Sequence, residues 1–303
     1  MDIKALRYFA AVAETGHMTR AASQLGIQQP PLSQQIKALE RELGMPLFHR
    51  HPRGVALTDA GRLFQVEAVR MLQDMEALKQ RMARVAKGLA GTLKVGFTSS
   101  AAAHHFMPEA LRAFRRTHPE VELQLREDNA AELTEAIAAG RLHAGLLRVP
   151  VARPPGLLFE TLLREPVLVA MPGDHRFALA RSGPKPRALT LAQLCSEGLI
   201  LVRRPGAPGL YANLLALCRS KGLEPRVVAE VDRMMTNLNL VAAGVGLSVV
   251  PASMRGVHAH AVAYCPLAAS APLDAPLTLV SRAGEDSIPA LQFNAMLREL
   301  AAA

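Results

Sequence analysis

The sequence contains no run of 18 or more apolar residues, and no basic segment followed by an apolar one at its amino terminus. These absences argue against a membrane-spanning helix and against an export signal. The three cysteines lie far apart, at positions 195, 218 and 265, and an odd, scattered set offers no disulfide framework. We therefore expect a protein of the reducing cytoplasm. A redox role for these cysteines stays open, but burial as small side chains is the simpler interpretation.

Signatures of catalysis and of metal binding are also scarce. The segment GVGLS at 244–248 does not have the residue order of a nucleophile elbow, and a phosphate-cradling Gly-Lys-Thr is absent. The pairs His104-His105 and His258-Ala-His260 lack a third ligand at metal spacing. The sequence thus predicts no catalytic residue, no metal and no cofactor.

Acidic residues are fewer than basic ones, and the imbalance is stronger near the amino terminus. The net charge is +9 over 303 residues, a length that suggests two or three domains. Residues 1–90 carry 13 Lys and Arg against 8 Asp and Glu, whereas residues 91–303 carry 22 against 18. Per residue the shorter segment is the more basic, which suits a polyanionic partner.

The first sixty residues predict three short helices with a tight turn before the third. Leu6 and Phe9 recur at helical spacing before Gly16, and Thr19 can cap a second helix that ends near Gly26. The third helix has an apolar stripe on one side and a polar row on the other. The stripe consists of Leu32, Ile36, Leu39 and Leu43, and the row consists of Gln29, Ser33 and Lys37, flanked by Pro30, Gln34 and Arg41. This pattern predicts a helix-turn-helix whose third helix enters the DNA major groove.

The residue types of the polar row suit contacts with bases. A glutamine can hold adenine through two hydrogen bonds, a serine can donate or accept, and a proline face can meet a thymine methyl group. Lys37 and Arg41 are better placed for phosphate. The alternative is a helix-turn-helix that serves protein contacts.

The segment LFHRHPRGVALT, residues 47–58, predicts a hairpin beside these helices. Leu47 to Arg50 and Val55 to Thr58 read as strands, with residues 51–54 as the turn. Arg50 and Arg53 could reach phosphate or a narrow minor groove, or they could simply be solvated.

Residues 3 to about 65 resemble the winged helix-turn-helix of LysR-type transcriptional regulators, without a gap. The resemblance rests on Ala21-Ala22, Leu25, Gln29-Pro30, Leu32-Ser33, Ile36, Leu39-Glu40, Leu43-Gly44, Leu47-Phe48, Arg50 and Leu57-Thr58. It implies base contacts from Gln29, Pro30, Pro31, Ser33 and Gln34, and we add Thr19, Lys37, Arg50 and Arg53 to the predicted DNA-contacting set. Many relatives carry arginine where Gln34 stands, so the resemblance implies DNA binding but not which operator sequence this chain prefers.

A long helix follows from Asp59 to about residue 87, and Thr58 can cap it. Apolar residues alternate steps of four and three along it, which is the heptad pattern of a coiled coil. This seam consists of Phe64, Ala68, Met71, Met75, Leu78, Met82, Val85 and Leu89. A second copy of the chain is its natural partner and would give a two-fold dimer on a near-palindromic site. The alternative is that the seam packs on the remainder of its own chain.

The carboxy-terminal two hundred residues alternate predicted strands and helices. Residues 93–97, 121–125 and 143–148 read as strands with helices between them, the first helix running to about Thr117. This order predicts a parallel sheet covered on both sides, and the pattern restarts after residue 160. Further strands are predicted at 166–171, 199–203, 226–230, 247–250 and 277–282, with helices at 191–195, 210–221, 236–243 and 289–301.

The resemblance continues more weakly to the end of the chain, through AFRRTHPEVELQL and LVAAGVGLSVVP. It implies an α/β domain of two lobes similar to periplasmic binding proteins, behind an all-α winged helix-turn-helix and a linker helix. The predicted domains are 1–58 for DNA binding, 59–90 for dimerisation and 91–303 for effector binding. Lobe I comprises 91–161 and 266–303, and lobe II comprises 162–265.

An effector is expected in the crevice beyond the carboxyl ends of the strands. Thr98, Ser99 and Ser100 end the first strand and open a helix, where amides and hydroxyls suit a carboxylate, although a plain helix cap would use the same residues. Arg148 and Arg203 end strands of the two lobes and are read as crevice cations or, alternatively, as surface charges. Thr236 is a weaker candidate.

Within the family, GLLRV with Arg148 and the Pro30-Pro31 pair look most like regulators of aromatic-compound catabolism, which respond to aromatic or dicarboxylic acids. Several of those place threonine where Ala130 stands, so the effector can differ. The resemblance further implies a homotetramer built from two dimers, activation of a divergent operon, repression of its own gene, and RNA polymerase as a further partner. The rival interpretation is a two-lobe solute-binding or enzymatic protein with a helical extension at its front.

Overall fold

The computed structural model describes residues 1–148, 153–179, 188–202 and 209–303. The chain divides into two compact units, Met1–Val85 and Ala86–Ala303, called here the N-terminal and the C-terminal unit. In those ranges we find no helix that combines the length and apolarity required to cross a bilayer.

The N-terminal unit contains three short helices, a hairpin and a long helix. In chain order these are α1 (Ile3–Thr15), α2 (Met18–Gln24), α3 (Gln29–Leu43), β1 (Phe48–His51), β2 (Gly54–Leu57) and α4 (Asp59–Ala86). Gly16 and Gly26 adopt φ of 63° and 64°, the left-handed conformation that glycine tolerates best. The prediction that Thr19 caps α2 is wrong. His17 caps this helix instead, and its Nδ1 atom accepts a hydrogen bond from the Thr19 amide.

The core of this unit explains the apolar stripe of α3. Leu32 and Ile36 are fully buried, and the Phe9 ring packs against Phe48 and Phe64 with centroids 5.1 Å and 4.8 Å apart. Phe64, the first member of the predicted coiled-coil seam, therefore has packing partners inside its own unit. At the start of α4 the Thr58 hydroxyl accepts from the Gly61 amide at 2.9 Å, which confirms Thr58 as its cap.

The C-terminal unit consists of two α/β lobes that share one long strand. Its elements in chain order are β3 (Ala90–Phe97), α5 (Ser99–Ala102), α6 (Phe106–Thr117), β4 (Glu120–Glu127), α7 (Ala130–Ala138), β5 (Ala144–Leu147), β6 (Leu157–Pro172), α8 (Arg176–Leu179), α9 (Leu191–Cys195), β7 (Gly198–Val202), α10 (Leu210–Ser220), β8 (Arg226–Val231), α11 (Met234–Ala242), β9 (Ser248–Pro251), β10 (Val262–Pro266), β11 (Asp274–Arg282) and α12 (Ile288–Ala302).

The first lobe is built on the strand order β4-β3-β5-β11-β6. Strands β3, β4 and β5 are parallel, as predicted, but β11 runs antiparallel to both β5 and β6. The sheet is thus mixed rather than parallel: β11, from the far end of the sequence, joins the three parallel strands in the opposite direction. The single helix predicted to follow β3 and run to about Thr117 is also wrong, since residues 103–105 separate α5 from α6; within this break the Nδ1 atom of His104 accepts from the Phe106 amide at 3.1 Å.

Strand β6 carries the chain from the first lobe into the second. Its residues 157–166 pair with β11, while residues 167–172 pair with β9 and β10. The prediction recognised only the segment 166–171 of this strand. In the second lobe β7 pairs in parallel with β8, and a bridge between Leu199 and Leu247 links β7 to the residue before β9. Strand β10 and helix α8 were not predicted.

Candidate nucleic-acid interface and effector cleft

Helix α3 presents its polar side to solvent. Gln28 precedes the helix in an extended conformation, and Pro30 and Pro31 lie in its first turn, where an amide has no intrahelical partner. Opposite the buried stripe, the side chains of the predicted base-contacting row are exposed except for Ser33, which is half-buried. The exposed members are Gln29, Pro30, Pro31, Gln34 and Lys37. This surface offers amide, hydroxyl and apolar groups beside a cation, the set that base edges and phosphates require.

Glu40 connects helix α3, in which it lies, to the β1–β2 hairpin. Its Oε1 atom accepts from the amides of Leu47 and Phe48 at 2.9 Å and 3.1 Å, and its Oε2 atom lies 3.8 Å from Arg50. The carboxylate thereby fixes the hairpin relative to α3 and restrains Arg50. Arg53 lies at the two-residue turn and is exposed, as is Thr19 near the start of α2. In the sequence Glu40 stood out only as a position shared with the family. Nothing near a glutamate on a helix indicates that its carboxylate will accept hydrogen bonds from the amides of residues 47 and 48.

The seam of α4 is exposed along its second half. Met71, Leu78, Met82 and Val85 are exposed by 47%, 54%, 54% and 40%, while Met75 is half-buried. Ala68 is buried in the core of the N-terminal unit together with the half-buried Phe64. The seam is therefore divided: its first turns serve the fold of one chain, and its later turns carry an apolar row that a soluble helix would cover.

Thr98 directly follows the carboxyl end of β3, and Ser99 and Ser100 are the first two residues of α5, so the three residues end the strand and open a helix as predicted. Thr98 caps α5 by accepting from the Ala101 amide at 3.3 Å, and its hydroxyl lies 3.4 Å from that of Ser100. Ser100 is buried, whereas Ser99 is half-buried. The structure thus gives Thr98 a capping role and places the three hydroxyls in one turn.

Arg148 is buried and already paired, which differs from the free crevice cation that the sequence suggested. Its Nη1 atom lies 2.6 Å from Oε1 of Glu165 in β6, and Nη2 donates to the Ser100 carbonyl at 2.6 Å and to the Ser253 hydroxyl at 2.9 Å. Glu165 also accepts from the amide and hydroxyl of Ser253, at 2.6 Å and 2.9 Å. Burial lowers the pKa of Arg148, and Glu165 opposes that shift.

These contacts connect three parts of the C-terminal unit. Arg148 follows β5, Ser100 lies in α5, and Ser253 lies in a 3-10 turn after β9 of the second lobe. Among the residues described here, Nε and Nη1 of Arg148 have no hydrogen-bond partner, so Nη1 contacts Glu165 as an ion pair. We call Arg148, Glu165 and Ser253 the interlobe link, because the ion pair between Arg148 and Glu165 is hydrogen-bonded to Ser253 of the second lobe.

A second ionic contact spans the lobes near the carboxyl ends of the strands. Arg233, which precedes α11, lies 3.6 Å from Glu127 at the end of β4. Thr236 in the same helix is exposed. Arg203, the other predicted crevice cation, falls outside the described residues. Glu127, Glu165, Arg233 and Ser253 were not identified from the sequence, and the one local signal was the charged pair Arg164-Glu165 inside a largely apolar strand segment.

His104 lies close to the interlobe link, and its environment leads us to expect that the stability of the C-terminal unit depends on pH. Burial lowers its pKa below the ordinary 6.5, Glu165 opposes the shift, and Arg148 and His105 add to it. Below pH 6.5 the unfolded chain therefore takes up a proton that the folded chain resists, so the stability of the C-terminal unit is expected to fall as pH falls through this range. Protonation would also remove the Nδ1 acceptor that the Phe106 amide uses.

Unfolding by urea at pH 7, 6 and 5 tests this expectation. The variant His104→Asn keeps an acceptor near the Phe106 amide and is expected to show a shallower decline of stability than the unchanged protein. The exposed neighbour His105 provides the control, through His105→Asn. Equal slopes for all three proteins would contradict the assignment.

No metal site is indicated in the part of the chain that the structure covers: no group of three or more His, Cys, Asp or Glu residues there is arranged to hold an ion.

Both units match known protein families. Residues 3–62 match the family described as "Bacterial regulatory helix-turn-helix protein, lysR family", and residues 86–302 match "LysR substrate binding domain". The chain is 39% identical over 268 residues, 88% of each chain, to the uncharacterized HTH-type transcriptional regulator YnfL of Escherichia coli (strain K12). It is 34% identical over 268 residues to the HTH-type transcriptional regulator BenM of Acinetobacter baylyi, which covers 88% of this chain and 86% of that one.

A solved structure extends this similarity over the whole chain. Full-length CbnR complexed with its target DNA matches with a TM-score of 0.82 and 29% identity, and the match covers 99% of this chain and all of that one. The helix-turn-helix with its hairpin, the long helix and the two α/β lobes thus occur together, in this order, in a regulator bound to DNA. The chain belongs to the LysR family of transcriptional regulators.

Proposed function

We propose that this LysR-type regulator reads a paired DNA site with α3 and the β1–β2 hairpin, under the control of a small carboxylate bound between the lobes of its C-terminal unit. The observation that carries the proposal is the two-sided character of α3. Leu32 and Ile36 are fully buried, while Gln29, Gln34 and Lys37 are exposed on other sides of the same helix. The amide and ammonium groups on that surface are the types that contact base edges and phosphates when such a helix enters the major groove.

The two ends of the proposed DNA surface have different tasks. Gln29, Pro30, Pro31, Ser33 and Gln34 lie in the first turns of α3 and are assigned to base edges. Lys37 and the hairpin residue Arg53 are assigned to phosphate, which strengthens binding to any sequence. Arg50 is held near Glu40, so we assign it a positioning role at the hairpin in addition to a backbone contact.

The substitution Gln29→Ala is expected to weaken binding to the specific site by about 1–3 kcal/mol, because a base contact is lost. Lys37→Ala is expected to weaken binding to all sequences alike and to reduce the slope of log affinity against log salt by about one. Both effects can be measured by fluorescence anisotropy on the upstream region of the gene and on an unrelated duplex of equal length.

Gln35→Ala is the matched control, because Gln35 is an exposed glutamine of the same helix that lies outside the polar row. The DNA surface is wrongly assigned if the Gln29 and Gln35 variants lose the same affinity for the specific site.

The effector is assigned to the crevice beside Thr98, Ser99 and Ser100. Their hydroxyls share one turn at the carboxyl end of β3, and Ser99 is half-exposed. Amide and hydroxyl donors at such a turn suit a carboxylate, and we expect an aromatic or dicarboxylic acid. Arg148 would act on that ligand mainly through its local field and through the interlobe link, since two of its nitrogens are already engaged.

A thermal-shift series on the full-length protein tests this assignment. Aromatic acids, dicarboxylates and amino acids are added separately, and a true effector is expected to raise the unfolding temperature, by an amount equivalent to about 2.7 kcal/mol at 100 times its Kd. Ser99→Ala is expected to reduce the shift, whereas Ser220→Ala, a serine on the surface of α10, leaves it unchanged. An equal shift in all three proteins would place the ligand elsewhere.

Oligomerisation is proposed through the exposed half of α4. The apolar row of Met71, Leu78, Met82 and Val85 would pair with the same row of a second chain, and two such dimers would form a tetramer. Closure of the lobes around the acid would then alter the spacing of the DNA-binding units across the oligomer. Activation of a divergent operon, repression of its own gene and contact with RNA polymerase are the regulatory outcomes we propose for this change.

A further inference from the structure

Two of the three cysteines meet in the second lobe although 22 residues separate them in the sequence. Cys195 is the last residue of α9 and Cys218 lies in the last turn of α10. The Sγ atom of Cys195 donates to the Sγ atom of Cys218 at 3.4 Å, and both cysteines are free thiols. A disulfide requires about 2.05 Å between these atoms, so a small approach of two helix ends would form the bond.

The two thiols differ in access. Cys195 is half-buried at the edge of the lobe, whereas Cys218 is fully buried within its core. Burial raises the pKa of Cys218 to about 12, and its contact with Cys195 adds to that shift. An oxidant arriving from solvent therefore meets Cys195 first, and Cys218 is the inner thiol that follows.

We propose that Cys195 and Cys218 form a reversible redox pair that a hydroperoxide converts into a disulfide. The thiolate of Cys195 attacks one peroxide oxygen, the O–O bond breaks, and the departing hydroxide takes a proton and leaves as water. The product is a sulfenic acid on Cys195. The sulfur of Cys218 then attacks the sulfur of Cys195, the S–O bond breaks, and the hydroxide leaves with the Cys218 proton as a second water.

The balance of this reaction is two thiols and one hydrogen peroxide giving one disulfide and two waters. Two electrons pass from the sulfurs to the peroxide, and a small dithiol returns them. The product would close residues 196–217 into a loop and tie α9 to α10. Cys265 supplies an internal comparison, because it is buried in the same lobe and its Sγ atom lies 4.0 Å from the Val169 carbonyl rather than beside a thiol.

The test treats the reduced full-length protein with hydrogen peroxide and reads the cysteines by mass spectrometry. We expect a mass about 2 Da lower per chain, a cross-linked pair of peptides containing Cys195 and Cys218, and full reversal by dithiothreitol. After denaturation Cys265 should still be alkylated. The variant Cys265→Ala should behave like the unchanged protein.

Two further variants separate the steps. In Cys218→Ala, a small apolar replacement for a buried thiol, Cys195 should accumulate as a sulfenic acid that dimedone traps. In Cys195→Ser, Cys218 should remain reduced at the same dose of peroxide. The variant Cys218→Ser repeats the dimedone test of Cys218→Ala with a different side chain. The proposal is overturned if both cysteines of the unchanged protein stay alkylatable at doses that oxidise free N-acetylcysteine. Cross-links between chains instead of within one, or oxidation of Cys265 at an equal rate, would overturn it as well.

Discussion

Replacing Glu165 with alanine is expected to lower the free energy of unfolding of the C-terminal unit by about 3–5 kcal/mol, because the buried Arg148 would lose its counter-charge. The two side chains are exposed by only 11% and 8%, and their ion pair measures 2.6 Å. Glu165 also accepts two bonds from Ser253, so the substitution would remove the acceptor that holds the second lobe at this point. The unfolding transition in urea, followed by far-ultraviolet circular dichroism, gives the measurement.

The matched control is Glu160→Ala. Glu160 lies five residues earlier in β6 and pairs with Arg298 at 2.8 Å, but both of those side chains are nearly half exposed. Exposed pairs contribute about 0–1 kcal/mol, so this substitution should change little. The double substitution Arg148→Met and Glu165→Leu removes both charges together and should recover much of the lost stability. If the Glu165 and Glu160 variants were equally stable, the interlobe link would not have the energetic role that its burial implies.

The double substitution Leu78→Asp and Met82→Asp is expected to weaken specific DNA binding by at least about 100-fold. Two charges would be forced into the apolar row that we assign to the dimer, and the second DNA-binding unit would lose the high effective concentration that linkage provides. Each side chain is 54% exposed in the single chain, so the fold of the N-terminal unit should be unaffected. Sedimentation velocity reports the loss of oligomer and anisotropy titration reports the loss of affinity.

Gln80→Asp introduces a charge on the opposite side of α4, at an exposed position off the seam, and should change neither measurement. Retention of affinity by the double variant would mean that the row packs against something other than a second copy. Circular dichroism of both variants checks that the helix itself is retained.

The local features of the N-terminal unit could be predicted because neighbouring residues decide them. The buried stripe of α3 follows from helical periodicity, and the hairpin follows from the turn at Pro52 and Arg53 between two short strands. The exception was the cap of α2, where His17 takes the place expected of Thr19. Threonine is a frequent cap, and a ring nitrogen that performs the same task has no comparable signature in a sequence.

Strand β6 shows why the C-terminal unit was harder to predict from the sequence. The segment LLREPVLVAMP interrupts its apolar residues with Arg164, Glu165 and Pro166, so only its second half reads as a strand. In the structure Pro166 lies opposite Asp274 where β6 passes from one set of partners to the next. Pairing with distant strands, rather than any local preference, keeps these residues extended.

The site residues divide in the same way. The position of Thr98, Ser99 and Ser100 at the end of β3 could be predicted because they follow a predicted strand. The contacts of Glu165 and Ser253 could not, since nothing near them in sequence points to Arg148. The expectation for the cysteines shows the same limit: separation along the chain suggested three isolated thiols, and two of them lie 3.4 Å apart.

By itself the sequence determined the order of the two units, the side of α3 that faces solvent, the length of α4 and the alternation of strands and helices, since each depends on periodicity and turn chemistry within about twenty residues. Only the tertiary structure decided that β11 runs antiparallel, that Phe64 belongs to the core of its own unit, that Arg148 is paired with Glu165, and that Cys195 meets Cys218. Those outcomes depend on which distant segments the packing of the core brings together, and pairings of that kind leave no periodic trace along the chain.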